Sequence, residues 1–211
     1  MSEAFRFPSR IYGIADDGGR TAAEVVDLSE GLLAGGARLL QLRAKQLATN
    51  ELVELARGLR TRCARAGATF LVNDRIDVAR LVDADGVHLG QDDLTPHDAR
   101  AQLGPNKIVG LSTHNLVQAR AAMADTVVSY IGFGPVFPTS TKEKPDPVVV
   151  LDGLRAVRVA VGKPIVAIGG IGLDDVAAVL AAGADAVAMI GAVAGTGDPA
   201  ATIEGLVRRF D

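Results

Sequence analysis

Several short segments hold residues whose types and spacing could do chemistry. In Gln41-Leu42-Arg43-Ala44-Lys45, polar or cationic residues alternate with apolar ones. A period of two puts Gln41, Arg43 and Lys45 on one face of an extended segment, with Leu40, Leu42 and Ala44 on the other. An arginine turned into a confined place needs either an internal ion pair or an anion to receive it. Asn73-Asp74 and Gln91-Asp92-Asp93 supply carboxylates, and Asp74 and Asp93 lie 93 − 74 = 19 residues apart. One or two carboxylates are enough to hold Mg2+, whose other octahedral positions go to water and phosphate oxygens. Two carboxylates beside an arginine and lysines would therefore suit a metal-bound diphosphate. Spacing does not decide between Asp92 and Asp93 as ligand. Asp74 could instead cap a short helix that follows it, a role that Thr95 already fills near Asp93.

Thr139-Ser140-Thr141-Lys142 places hydroxyls and a cation among prolines. Such a segment is either a solvated loop or one that donates several hydrogen bonds to a phosphate, with Lys142 as a point charge. Ile168-Gly169-Gly170-Ile171-Gly172 and Ile190-Gly191-Ala192 add backbone amides with little side chain in the way, the makings of an anion site beside a helix start. His88 alternates with Val87 and Leu89 and should point inward, as a hydrogen-bonded core histidine or a pocket residue. The three histidines are scattered without zinc-site spacing. Cys63, in a predicted helix, serves packing. No lysine falls within a strand core, which weakens a Schiff-base aldolase reading.

The elements that must position these groups repeat along the chain. A small-residue helix end, a Gly or Asp and a short apolar run recur at 34–43, 65–74, 82–91, 123–134 and 181–191. Glycine past a helix end supplies a left-handed cap, and an unbroken apolar run reads as a strand buried on both faces. The pattern predicts eight strands, at 11–15, 39–43, 69–73, 86–89, 108–112, 127–132, 164–168 and 186–190. Helices are predicted at 21–34, 50–65, 76–81, 95–103, 115–123, 151–161, 174–182 and 199–210, with Thr95-Pro96 as one clear start. Eight such units close most naturally into an α/β fold of the (β/α)8 TIM-barrel type, although periodicity alone also fits an open doubly wound sheet. In a barrel, functional groups sit at the strand exits, where all the segments above fall. The one long irregular connection, 133–147, follows the sixth strand.

Composition narrows the function classes. No linker divides the 211 residues, so one barrel domain over 1–211 is expected. Twenty-two Lys and Arg against 25 Asp and Glu leave a net charge of −3. No broad basic field exists to hold nucleic acid or an anionic membrane, so an anionic ligand needs a local site. The first ten residues have no apolar run typical of a secretion signal, and no apolar stretch approaches the roughly 18–20 residues of a membrane span. A single cysteine excludes an intrachain disulfide and fits a reducing, cytoplasmic location. Small-molecule substrates are the expected partners, and a homo-oligomer is compatible with the sequence.

Taken together, QLRAK at 41–45, VNDRIDVA at 72–79, DGVHLGQDD at 85–93, GLS at 110–112, GPVFPTSTK at 134–142, IGGI at 168–171 and MIGA at 189–192 closely resemble thiamine phosphate synthases, in order and over nearly the whole chain. The resemblance implies a transferase that joins 4-amino-2-methyl-5-hydroxymethylpyrimidine diphosphate to a thiazole phosphate and releases diphosphate. It implies that Gln41, Leu42, Arg43, Ala44, Lys45, Asn73, Ser112 and Lys142 bind the pyrimidine diphosphate. Asp74 and Asp93 would hold Mg2+, which favours Asp93 over Asp92. Thr139, Ser140, Thr141, Gly170, Ile190 and Gly191 would hold the thiazole phosphate. Family members often carry a hydroxyl where Gly191 stands, so a side-chain contact is absent here while the backbone amide remains. The implied mechanism is dissociative: Mg2+, Arg43 and Lys142 stabilise the departing diphosphate, with Ser112 beside them, and the thiazole nitrogen captures a pyrimidinylmethyl cation. No protein nucleophile is needed, in keeping with the lack of a Ser/His or Cys/His arrangement. Two rivals stand beside this reading. One is the thiazole tautomerase of the same superfamily, which lacks the paired metal carboxylates. The other is a non-catalytic, phosphate-binding regulatory barrel.

Overall fold

The computed structural model describes residues 5–139 and 146–211. In chain order its elements are β1 (Ile11–Asp16), α1 (Ala22–Ala34), β2 (Leu39–Arg43), α2 (Thr49–Ala66), β3 (Thr69–Asn73), α3 (Ile76–Leu81), β4 (Gly86–Leu89), α4 (Pro96–Leu103) and β5 (Ile108–Thr113). There follow α5 (Leu116–Ala124), β6 (Tyr130–Phe133), α6 (Val150–Ala160), β7 (Ile165–Ile168), a 3-10 turn at Leu173–Asp175, α7 (Val176–Ala181), β8 (Ala186–Met189), α8 (Gly191–Ala194) and α9 (Pro199–Phe210). Each strand pairs in parallel with the next, and β8 pairs with β1, so the sheet closes. The open-sheet alternative is thereby excluded.

Local chemistry accounts for most boundaries. Thr21 opens α1 and Thr95 opens α4 with reciprocal capping boxes, in which the threonine hydroxyl accepts from the third helical amide and Glu24 or Asp98 answers the threonine amide. The α2 helix ends at Gly67 in the left-handed region (φ 64°), where a Cβ would be strained. β6 starts at Tyr130, three residues later than its apolar run suggests. Asp125 takes the preceding amides, its carboxylate accepting from Val127 N at 2.9 Å and its carbonyl from Val128 N at 3.3 Å. The four-residue α8 has too few positions to carry a periodic signal and was not expected.

Alternation along each strand separates two apolar layers. Leu40, Leu42, Phe70, Val72, Val87 and Val109 turn outward and pack with the helices. Tyr12, Ile14, Leu39, Leu71, Tyr130 and Val166 fill the barrel interior. Phe5 and Phe7 close its lower end, with the Phe7 ring 5.1 Å from that of Tyr130. Because every strand spends one face on the outer layer, its polar residues are left to the interior and the mouth. Cys63 is fully buried in the outer layer, and burial pushes its thiol up to about 12, so it is inert packing material. No helix among the described residues is long and apolar enough to cross a membrane.

Candidate active site

Among the described residues, the exits of β1 to β4 bring Asp16, Arg43, Lys45, Asp74 and Asp93 to the mouth. Arg43 is the last residue of β2 and stands in register with Asp16, the last of β1. Its guanidinium is ion-paired with the Asp16 carboxylate, the two side chains being 17% and 4% exposed. The internal ion pair and the placement at the mouth therefore coexist. Asp16 accepts only one edge of a fork that carries five N–H donors. Asp17, also buried, accepts from the amides of Gln46 and Leu47 at 2.7 and 3.2 Å and so shapes the turn after Lys45. Lys45 is half exposed and reaches Asp74 at 3.0 Å.

Asp74 does not cap α3: the residue at that cap is Arg75, and no side chain bonds there. Instead Asp74 takes a left-handed backbone conformation (φ 59°), which costs a residue with a Cβ roughly 1–2 kcal/mol. Its amide donates to the His88 carbonyl at 2.8 Å, tying the β3 exit to β4. The Asp93 carboxylate, which accepts from Gly90 N at 2.7 Å, lies close enough to interact directly with Asp74. Burial first, and then this second carboxylate, hold Asp74 above the usual carboxylate range, while Lys45 pulls the other way. Two oxygen-rich, like-charged groups brought together at an exit suit a hard divalent cation, which would relieve their repulsion. Among the described residues no cluster of three or more His, Cys, Asp or Glu side chains forms, so the pair is what such an ion would find. Asp92 is exposed beside them.

Other residues singled out from the sequence are distributed in depth. Gln41 is 3% exposed, and its amide nitrogen donates to the Tyr12 hydroxyl at 2.7 Å inside the barrel. Leu42 and Ala44 turn to the outer layer, so only their backbone is available to a ligand at the mouth. Asn73 is half-buried at the end of β3. Ser112, near the end of β5, lies 2.9 Å from Nε2 of His88, which points inward as its alternation requires. The barrel thus brings together a Ser/His pair that residue order alone reads as lacking, because the two residues sit on neighbouring strands 24 positions apart. Burial pushes the His88 imidazole down to about 4 against the field of Asp93, so the ring is neutral at neutral pH.

The opposite side of the mouth is built from backbone. After β6, Val136 N donates to the Ile168 carbonyl at 3.0 Å and Phe137 N to that of Gly169 at 2.9 Å. This laces the long loop onto the β7 exit. Gly170 is left-handed (φ 65°), and a Cβ there would lie 2.7 Å from the Phe137 carbonyl group. Glycine is thus what lets Pro138, and Thr139 after it, run against this exit. His114 holds the same loop from β5, with Nδ1 2.7 Å from the Gly134 carbonyl oxygen and Nε2 3.5 Å from Asp146. Ile190 precedes α8 and Gly191 begins it, exposed at the β8 exit. Ser140, Thr141 and Lys142 lie outside the described residues.

Sequence reasoning missed Asp16, Asp17, Tyr12, Tyr130 and the anchoring role of His114. The same alternation that exposes Gln41 and Arg43 would have placed Tyr12 and Asp16 inward on β1; no local signal marks Asp17 or His114.

Residues 11–193 match the family model described as thiamine monophosphate synthase. The chain is 50% identical over 184 residues to the thiamine-phosphate synthase of Moorella thermoacetica, covering 87% of this chain and 86% of that one. It is 45% identical over 201 residues to that of Chloroflexus aurantiacus, covering 94% and 91%. Among solved structures it is similar to the thiamine phosphate pyrophosphorylase from Pyrococcus furiosus, with a TM-score of 0.86, 37% identity and 96% of each chain covered.

Proposed function

Since the chain belongs to the thiamine monophosphate synthase family, a family of transferases in thiamine biosynthesis, we propose how its mouth divides the work of joining two phosphorylated heterocycles. The pyrimidine diphosphate lies over the exits of β2 to β5, against Gln41 to Lys45, Asn73 and Ser112, with Lys142 as a further contact. The thiazole phosphate lies over the exits of β6 to β8, against Thr139 to Thr141, Gly170, Ile190 and Gly191. Asp74 and Asp93 would hold Mg2+, which when bound would neutralise charge on the diphosphate and align it. The whole chain acts as one barrel domain in this reading, on small molecules in the cytoplasm.

The observation that carries the reading is the convergence of Asp74 and Asp93 next to Lys45, one strand exit from the Arg43–Asp16 pair. A diphosphate leaves as a multiply charged anion, so the groups that matter are those that already point at that charge before the bond breaks. Arg43 is such a group, because Asp16 fixes its guanidinium and little reorganisation is needed when charge develops. The thiazole nitrogen captures the resulting pyrimidinylmethyl cation, and the laced β6–β7 exits align the two rings for it. A barrel that merely bound phosphate would have no use for a carboxylate pair at the diphosphate end, and neither would a tautomerase.

The direct test supplies both substrates with and without Mg2+. Thiamine phosphate and diphosphate are expected in equal amounts, and only with the metal. No coupling under either condition would overturn the reading in favour of a binding-only barrel.

Gly191 allows a second test. A Cβ built there meets no atom within 4 Å, so a serine fits at the β8 exit. If the thiazole phosphate sits there, Gly191→Ser adds one hydrogen bond and lowers its KM roughly two- to tenfold, leaving the pyrimidine diphosphate KM unchanged. A change confined to the diphosphate substrate would mean that the two pockets are exchanged.

A further inference from the structure

Beneath the mouth, a line of hydrogen bonds crosses the barrel interior from β2 to β5. Gln41 Nε2 donates to the Tyr12 hydroxyl at 2.7 Å. The Tyr12 and Tyr130 hydroxyls are 2.9 Å apart, and Tyr130 is 2.8 Å from Nδ1 of His88. Nε2 of the same ring is 2.9 Å from Ser112 Oγ. Tyr12, Tyr130, Gln41 and His88 are all buried. Gly110 makes the junction: a Cβ there would overlap the Tyr130 phenol and come within 2.6 Å of His88 Nδ1.

The line has a direction. A carboxamide nitrogen only donates, so Tyr12 receives from Gln41, and the buried Tyr12 hydrogen finds its acceptor in Tyr130, its other hydroxyl contact. Tyr130 then donates to Nδ1. A ring that accepts at Nδ1 is neutral and carries its hydrogen on Nε2, from which it donates to Ser112 Oγ. The serine's own hydrogen is thereby left for a partner above it. With the opposite polarity Ser112 would spend that hydrogen on His88 and meet an anion with lone pairs only. Within a buried chain each bond polarises the next, so the direction set at one end is felt at the other.

We propose that Gln41, Tyr12, Tyr130 and His88 form a polarity-setting chain of positioning residues that keeps the Ser112 hydroxyl a donor toward the leaving diphosphate. This rests on the reading that Ser112 contacts that group; the chain itself adds which way the hydroxyl points and what fixes it.

Nitrogen NMR of the full-length enzyme with 15N-labelled histidine, free and with inorganic diphosphate, reads the tautomer directly. His88 is expected to show a protonated Nε2 and a bare, hydrogen-bonded Nδ1 in both states. The reverse assignment overturns the proposal, and this measurement needs no variant to fold. In kinetics, Tyr130→Phe is expected to raise the KM for the pyrimidine diphosphate about tenfold, the scale of one hydrogen bond to a charged group, with the thiazole phosphate KM unchanged. His88→Gln, whose amide offers an N–H where Nε2 stood, retains more of that affinity than His88→Leu. Ser112→Ala separates the two layers of the argument. If it leaves the diphosphate KM unchanged, the underlying placement of the substrate fails. If it raises that KM and Tyr130→Phe adds its full effect on top, the placement stands and the chain fails. If Tyr130→Phe adds nothing in the double variant, the chain is supported.

Discussion

Asp93→Asn is expected to lower turnover by about two to three orders of magnitude, while Asp92→Ala stays within about twofold of the parent enzyme. The two aspartates are adjacent in sequence and both exposed, yet only Asp93 is placed against Asp74. Asparagine keeps an oxygen to accept from Gly90 N, so the turn after β4 survives and only the charge is lost. Charge stabilisation by a bound divalent ion contributes several kcal/mol to a transition state of this kind, and each 1.36 kcal/mol is tenfold in rate. Steady-state kinetics over a range of Mg2+ concentrations would show the loss partly recovered at high metal, because a weakened site fills by mass action. Equal and small effects from Asp92 and Asp93 would remove Asp93 from the proposed metal-binding pair.

Arg43→Met is expected to damage both stability and catalysis, and the two losses can be separated. The Asp16 carboxylate is 4% exposed, and stripping a buried charge of its counter-ion costs about 3–5 kcal/mol. Urea unfolding of the variant would therefore fall by that amount at neutral pH. Adding Asp16→Asn removes the orphaned charge while keeping the oxygen that accepts from Gly18 N, so the double variant should recover most of the stability. Activity should not return with it if, as proposed, the guanidinium receives the leaving diphosphate; kcat/KM is then expected to remain at least about a hundredfold down. Recovery of both properties in the double variant would make Arg43 purely structural.

How much of this was legible from residue order varies by position. Strand limits at β2, β3 and β4 agree with the pattern to the residue, because each is a short, mostly apolar segment directly after a small-residue helix end. At β6 the reading was too long: Val127 and Val128 look like strand residues, but Asp125 binds their amides in a turn. Asp74 was open in the sequence between a metal-binding carboxylate and a cap on the short helix after it. Its left-handed backbone, with the carboxylate beside Lys45 and Asp93, removes the cap. His88 was ambiguous for a similar reason, since alternation dictates that it points inward but not what it meets there.

The amino-acid order by itself determined the repeating strand–helix unit, which face of each strand is polar, and the concentration of carboxylates, cations and glycines at strand exits. These follow from periods of two and 3.6 residues and from the backbone limits of glycine, all of which act over a few positions. Closure of the sheet decided the rest. Register across β1 and β2 pairs Asp16 with Arg43, and approach across the interior lines up Gln41, Tyr12, Tyr130, His88 and Ser112 through the gap at Gly110. Partners 24 to 118 residues apart meet because eight tilted strands share one interior, and no local periodicity encodes which of their inward-facing side chains come into reach.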